Sequence, residues 1–593
     1  MNFFKQVLAT IVGLTIFQII SFIMFFVFIG IIAASFKGSS EYSASTETIE
    51  ENSLLTLKLN YDIKERDGFP QFDFNDLDGL SKEKAGLQSL LEALKFAETD
   101  ERIKGIYMDL SLMPNGYATI DVLREALNSF KSTGKFVMAY GEMIDQKSYY
   151  LASVADKLYV NPEGYIELRG VGAQLTFFKK LLEEKLEAEV QVFKVGDYKS
   201  AVEPFIQAEM SEANREQLTY LLGGIKEDFV NNIADARNIS PEDFDEILNS
   251  LAALDPKTAA ELNILDGTRY FDEVLGELKT NLGIDQEDDI ESISLNDYAM
   301  ATAQVTKSSH KIAVIYAEGS IVDGKGDEMS IGGEKFAKQI RELRNDEDIE
   351  AIVLRVNSPG GSALASEVMW RELELAKAQK PVVVSMGEVA ASGGYYIACN
   401  SDKIYAEENT ITGSIGVFGL IPNLEKFMNN KLGVTFDEVN LNEHASSNGV
   451  TNSFTEFEAA VIQKNVDNIY KTFTTRVAEG RGMAIEDVLA VASGRVWTGE
   501  QAMERGLVDE IGGLDDAIAH AAELAELEDF RIKEYPEVKS PFEQFISEMG
   551  MEVKQSRLKE NLGPLFPYFE ELQSLYTMNG KVQAKMPMII EIY

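Results

Sequence analysis

The chain repeats itself, and no other property of the sequence narrows the possible folds as much. Laid over GEVAASGGYYIACNSDKIYA (387–406), the stretch GEMIDQKSYYLASVADKLYV (141–160) matches at eight of twenty positions, at a constant spacing of 246 residues. The regions before them answer one another as well: KGIYMDL (104–110), IDVLREALNSFKSTGK and FVMAY pair with EAIVLRV (350–356), SEVMWRELELAKAQK and VVVSM. Short apolar runs alternating with helix-period stretches predict strand, helix, strand, helix in each copy, which calls for parallel sheets with crossover helices. The expected fold is α/β, with two tandem homologous domains over about 50–290 and 310–540. The segment 286–309, of mixed polarity, reads as their connector, and 541–593 as a C-terminal extension with amphipathic helical pattern and the apolar terminus MPMIIEIY. A length of 593 residues agrees, because one hydrophobic core seldom organises so much chain.

Ahead of the repeat, residues 6–36 (QVLATIVGLTIFQIISFIMFFVFIGIIAASF) carry no charge and lie between Lys5 and Lys37. As a helix rising ~1.5 Å per residue, the run is long enough to cross the ~30 Å hydrocarbon core. It is also much longer than the ~7–15 apolar residues of a signal peptide's core. Residues 1–40 are therefore expected to hold a cytoplasmic N-terminus and a single-pass transmembrane anchor. Lys5 on one side and the acidic ETIEEN on the other place the body outside the cytoplasm.

The charge and composition exclude several functions. A formal net charge of −42 offers no basic field to displace counterions, so nucleic acid is not an expected partner. Three histidines at scattered positions give no ligand pair at useful spacing, so no metal is expected; no phosphate loop or dinucleotide fingerprint points to a cofactor. The single Cys399 rules out an intrachain disulfide framework.

Within the second copy, GEVAASGGYYIA (387–398) places Ser392 between two alanines and two glycines, at a turn between an apolar run and the start of a helix. Such small turns are common as packing devices, where glycine frees the backbone. The repeat adds information. Ser392 answers to Gln146, and Gly393 and Gly394 answer to Lys147 and Ser148, so the same turn tolerates bulky residues. The second copy is small where a nucleophile at a helix start would need access.

A serine hydroxyl needs a base to take its proton. His310 opens a strand and His520 sits in a helical stretch; both read as structural. His444, in NEHASSNG, is one candidate base. Lys199, in FKVGDYKSAVEPF, is the other, provided that burial depresses its pKa.

The order VNSPGGSA (356–363), GEVAASGGYYIA, TGSIGV (412–417) and GDYKSAVEPF resembles the bacterial signal peptide peptidase family (SppA, protease IV) in its long, membrane-anchored, two-domain form, within the Clp protease/crotonase-like superfamily. That resemblance covers nearly the whole chain. It implies a serine endopeptidase in which Ser392 is the nucleophile, Lys199 the general base and Ser414 the hydroxyl that orients the lysine amine. The backbone N–H groups of Gly361 and Gly393 would form the oxyanion hole, with no cofactor. It implies signal peptides and other short apolar peptides as substrates, the bacterial cytoplasmic (inner) membrane as location with the body on the periplasmic side, and a homotetramer. The repeat agrees: Lys199 answers to Ala445 and Ser414 to Leu168, as if each half kept part of a duplicated site. Three rival readings remain at this point. One is a serine–histidine enzyme using His444; another is a crotonase-like acyl-CoA enzyme, which would share SPGG but need neither Ser392 nor an anchor. The third is a non-catalytic membrane scaffold.

Overall fold

The computed structural model describes residues 49–68, 84–303, 308–327, 329–537, 562–578, 580–586 and 591–592. The anchor expected over 1–40 lies outside them; among the described residues no helix is long and apolar enough to cross a membrane.

The repeat is visible as geometry. Strands Ile103–Leu110 and Ile349–Ser358 begin 246 residues apart, as do Phe136–Ile144 and Val382–Ala391, and as do helices Leu87–Thr99 and Gly333–Asn345. In the first half the sheet runs, in spatial order, Gly267–Thr268, Lys157–Ile166, Phe136–Ile144, Ile103–Leu110, Ser53–Leu57 and Ser292–Ser294, every neighbouring pair parallel. In the second half Ile349–Ser358 lies between Val382–Ala391 and Lys311–Glu318, parallel to both. Parallel strands carry helices on both faces and so read as continuous apolar runs. Ile312 to Ala317 and Ala351 to Leu354 are accordingly buried without alternation. At about 1.5–3 kcal/mol for each fully buried large aliphatic side chain, these strands are a main source of stability.

Two segments depart from the simple picture of domains and connectors. The expected connector 286–309 contains the strand Ser292–Ser294, which extends the edge of the first sheet, and the helix Leu295–Thr302 packed beneath it. A third sheet draws its strands from everywhere: Ser330–Gly332, Ser320–Val322, Gly360–Ser362, Val582–Lys585, Val417–Asn423 and Glu189–Val195. Glu189–Val195 belongs to the first half by sequence, yet it pairs antiparallel along the full seven residues of Val417–Asn423. Val582–Lys585 comes from the C-terminal extension. The halves thus interlock.

Polar contacts reinforce the seam. Glu65 accepts from Arg355 Nε at 2.8 Å and from Asn357 Nδ2 at 3.0 Å, both in the strand that leads into the Gly360–Gly361 turn. Glu388 accepts from the Thr119 N–H and hydroxyl, each at 3.0 Å, and Asn409 donates to Asp121 at 2.8 Å.

Candidate active site

Ser392 ends the strand Val382–Ala391 and immediately precedes the helix Gly393–Ala398. Its backbone, at φ 56° and ψ −107°, lies in a region that non-glycine residues rarely occupy. The surrounding bonds hold it there: Ser392 N–H donates to the Gly413 carbonyl at 2.8 Å, and Tyr396 N–H donates to the Ser392 carbonyl at 2.8 Å. The small residues of this turn have a steric reason. A Cβ on Gly394 would come within 2.6 Å of the Ser358 carbonyl oxygen.

Lys199 reaches this serine from the other half. The strand Glu189–Val195 delivers the turn 196–199 across the seam, where Tyr198 N–H donates to the Ser493 carbonyl. The Lys199 Nζ stands 2.8 Å from Ser392 Oγ, 3.0 Å from Ser414 Oγ and 3.1 Å from the Ser414 carbonyl oxygen. Lys199, Ser392 and Ser414 all have 0 % of their surface exposed. Among the described residues no carboxylate forms an ion pair with Lys199. Burial therefore acts unopposed and holds the lysine pKa well below its ordinary range.

A neutral amine has two N–H bonds and one lone pair, and this environment matches that count. The two Ser414 oxygens accept the N–H bonds, which leaves the lone pair for the Ser392 hydroxyl. Ser414 is fixed in turn: its own N–H donates to the Arg495 carbonyl at 2.7 Å, its hydroxyl to the Gly494 carbonyl at 3.3 Å, and its φ is 50°.

Gly360 and Gly361 form a strand beside the Ser392 turn, with φ of 89° and 157°. A Cβ on Gly361 would stand 2.0 Å from the Ile321 carbonyl oxygen, and one on Gly360 would stand 2.5 Å from the Gly393 backbone nitrogen. The absence of side chains lets the 360–361 backbone approach the N-terminus of the helix that carries Gly393. His444, by contrast, lies on an exposed loop, its ring paired with Glu458 at 2.8 Å and stacked on Phe457. His310 and His520 pair with Glu350 and Glu523. Among the described residues no cluster of three or more His, Cys, Asp or Glu side chains has a metal-holding arrangement.

Sequence reasoning missed the packing partners of the lysine. A Cβ on Gly494 would stand 2.7 Å from Lys199 Cα, and one on Gly416 would stand 3.1 Å from Lys199 Cδ. It also missed the strand Val582–Lys585 beside Gly360–Ser362; the short alternation VQAK was its only trace.

A sequence model of peptidase family S49 matches residues 129–285 and again 374–528. "Protease 4" of Salmonella typhi is 37% identical over 491 residues, covering 81% of this chain and 78% of that protein. "Protease 4" of Haemophilus influenzae is 33% identical over 609 residues, covering 95% of this chain and 97% of its own. "Serine protease SPPA, chloroplastic" of Arabidopsis thaliana is 33% identical, over 81% of this chain and 70% of that one. With two α/β halves each matched by that family, the chain belongs to peptidase family S49 and is a serine peptidase.

Proposed function

We propose that the peptidase works through a serine–lysine dyad, with Ser392 as nucleophile and Lys199 as general base. The observation that carries this reading is the 2.8 Å contact between a fully buried, unpaired lysine amine and a fully buried serine hydroxyl. Neutral Lys199 takes the Ser392 proton as Oγ attacks a peptide carbonyl. Gly361 and Gly393 N–H groups hold the oxyanion, Gly393 from the start of a helix. The Lys199 ammonium then protonates the leaving amine, and water hydrolyses the acyl-enzyme. Ser414 keeps the amine aimed throughout.

The substrates in this reading are signal peptides and similar short apolar peptides. Anchoring by residues 6–36 in the bacterial inner membrane, body outward, would keep the enzyme near them; the charge-free run and its flanking lysines support this placement. A homotetramer belongs to the same reading. A fluorophosphonate probe and a quenched apolar peptide test the dyad together. Covalent labelling at Ser392, with peptide turnover lost in Lys199→Ala and kept in His444→Ala, is expected. Turnover lost in His444→Ala but kept in Lys199→Ala overturns it.

A further inference from the structure

On the seam between the halves, two arginines are stacked into three aromatic rings. The Arg495 guanidinium carbon stands 4.8 Å from the ring centre of Tyr198, 5.4 Å from that of Tyr220 and 4.7 Å from that of Trp497. Arg505 stands 5.4 Å from Tyr220 and 4.0 Å from Trp497, and donates to the Tyr220 hydroxyl at 2.9 Å. Tyr198 and Tyr220 belong to the first half, the arginines and Trp497 to the second. Glu216 closes the stack from outside, 3.3 Å from Arg495 Nη1 and accepting from the Tyr198 hydroxyl at 3.2 Å. The Arg495 Nε is buried without a hydrogen-bond acceptor among the described residues, a cost that the ring faces offset.

Each of the three site residues lies one step from this stack. Tyr198 precedes Lys199 in the chain. The Arg495 carbonyl accepts the Ser414 N–H at 2.7 Å. Trp497 pairs with Thr412 in the strand Ile411–Gly413, and a Cβ on Gly413 would stand 2.6 Å from the Trp497 ring. The Gly413 carbonyl in turn accepts the Ser392 N–H at 2.8 Å. The fold alone does not demand such a stack. Helices Pro256–Glu261 and Gly499–Met503 begin 243 residues apart, as do strands Gly267–Thr268 and Glu510–Ile511. That spacing puts Ala252, Leu254 and Leu262 where the second half has Arg495, Trp497 and Arg505. The half without the nucleophile builds the same segment from aliphatic residues.

We propose that Arg495 is a positioning residue for the base: wedged among Tyr198, Tyr220 and Trp497, its guanidinium ties the Tyr198–Lys199 turn of one half to the Gly413–Ser414 turn of the other and keeps water from the lysine amine. The inference rests on the dyad reading above. Two halves that merely touched would let the amine drift from the hydroxyl, whereas a planar cation held by rings from both sides fixes their spacing. The same wedge accounts for a lysine at a seam with none of its surface exposed. Without it, water reaches the amine, favours the ammonium and leaves less of the base neutral at a given pH. The charged groups around the stack are Asp197, Glu216, Glu504 and Arg505. None of them pairs with Lys199, whose pKa is lowered by burial.

The test uses the full chain in detergent, with kcat and KM for a quenched apolar peptide followed across pH and the fold checked by circular dichroism. Arg495→Ala is expected to lower kcat ~10²-fold, the usual cost of a displacement of about 1 Å at a reacting group. KM should stay unchanged, and the midpoint of the pH–rate profile should move upward. Arg495→Lys should recover part of the rate, since an ammonium can meet Glu216 but cannot lie against three rings. Tyr220→Leu removes a half-exposed ring from the same stack and should move both readings the same way by less. It decides the matter where Arg495→Ala does not fold. A folded variant that loses kcat with an unmoved midpoint overturns the inference, because a merely structural role gives that result. So do wild-type kinetics in Arg495→Ala, and either outcome leaves the dyad intact. Turnover kept in Lys199→Ala overturns the dyad reading, and this one with it.

Discussion

Gly494 lies flat against the backbone of Lys199: a Cβ at 494 would stand 2.7 Å from Lys199 Cα and 2.8 Å from its nitrogen, and the glycine φ is 84°. The position of the proposed base is therefore set by a residue that takes no part in the proposed chemistry. Gly494→Ala is expected to push the lysine back and lower kcat ~10²-fold, the usual cost of a displacement near 1 Å at a reacting group. KM should change little. Steady-state kinetics beside circular dichroism separates this from unfolding.

Removing the dyad members has sharper expectations. Ser392→Ala should abolish turnover and leave the fold intact, since alanine already occupies the two preceding positions. Lys199→Ala should cost at least ~10²–10⁴-fold, the worth of general-base help. Lys199→Arg should fail too, because a guanidinium stays protonated. His444→Ala, far out on its loop with Glu458, should leave kcat within a small factor. Single-turnover rates on one peptide decide all four.

The dyad needs the neutral amine, so activity should rise with pH through the depressed Lys199 pKa and then level off. Ser414→Ala removes one acceptor of the amine's N–H bonds and should give an intermediate loss in kcat. A pH–rate profile for both proteins checks this; an unchanged Ser414→Ala profile would remove Ser414 from the orienting role.

Stability should run the opposite way. Burial, with Glu388 adding repulsion, raises the Asp121 pKa to about 7, and burial raises Glu407 to about 8. Both values exceed those of the unfolded chain, near 4. The folded state therefore holds these protons more tightly, and the stability they confer is lost as pH climbs from about 4 toward 8. Asp121→Asn, neutral throughout, should flatten part of that decline in Tm, measured in an inactive Ser392→Ala background.

Deleting residues 1–40 should give a soluble enzyme with unaltered kcat, because Lys199, Ser392 and Ser414 all lie in the folded halves. A truncated protein with native circular dichroism and no turnover would contradict this.

Much of the architecture was readable because duplication doubles the signal. Each strand of the pair Ile103–Leu110 and Ile349–Ser358 vouches for the other, whereas Lys199 was one of two candidate bases until the family resemblance chose it, with the missing copy at Ala445 in agreement. Partner choice was not readable. EVQVFKV (189–195) alternates as an edge strand should, but alternation says nothing about which sheet receives it, and its answering segment near 435–441 is loop. The same holds for VQAK at 582–585. Positive φ at Ser392 and Ser414 was equally hidden, because serine has no special liking for that region; the surrounding bonds impose it.

The pairing of Glu189–Val195 with Val417–Asn423 also sets a timetable. A ribosome delivers Lys199 long before residue 417, and domains form as units in the order they emerge. Until the later strand exists, the earlier one has no edge to join and the amine has no hydroxyl to meet. A half-made chain is thus harmless to itself and to its neighbours. For a peptidase made beside other nascent polypeptides, the length of its own message acts as the safety catch.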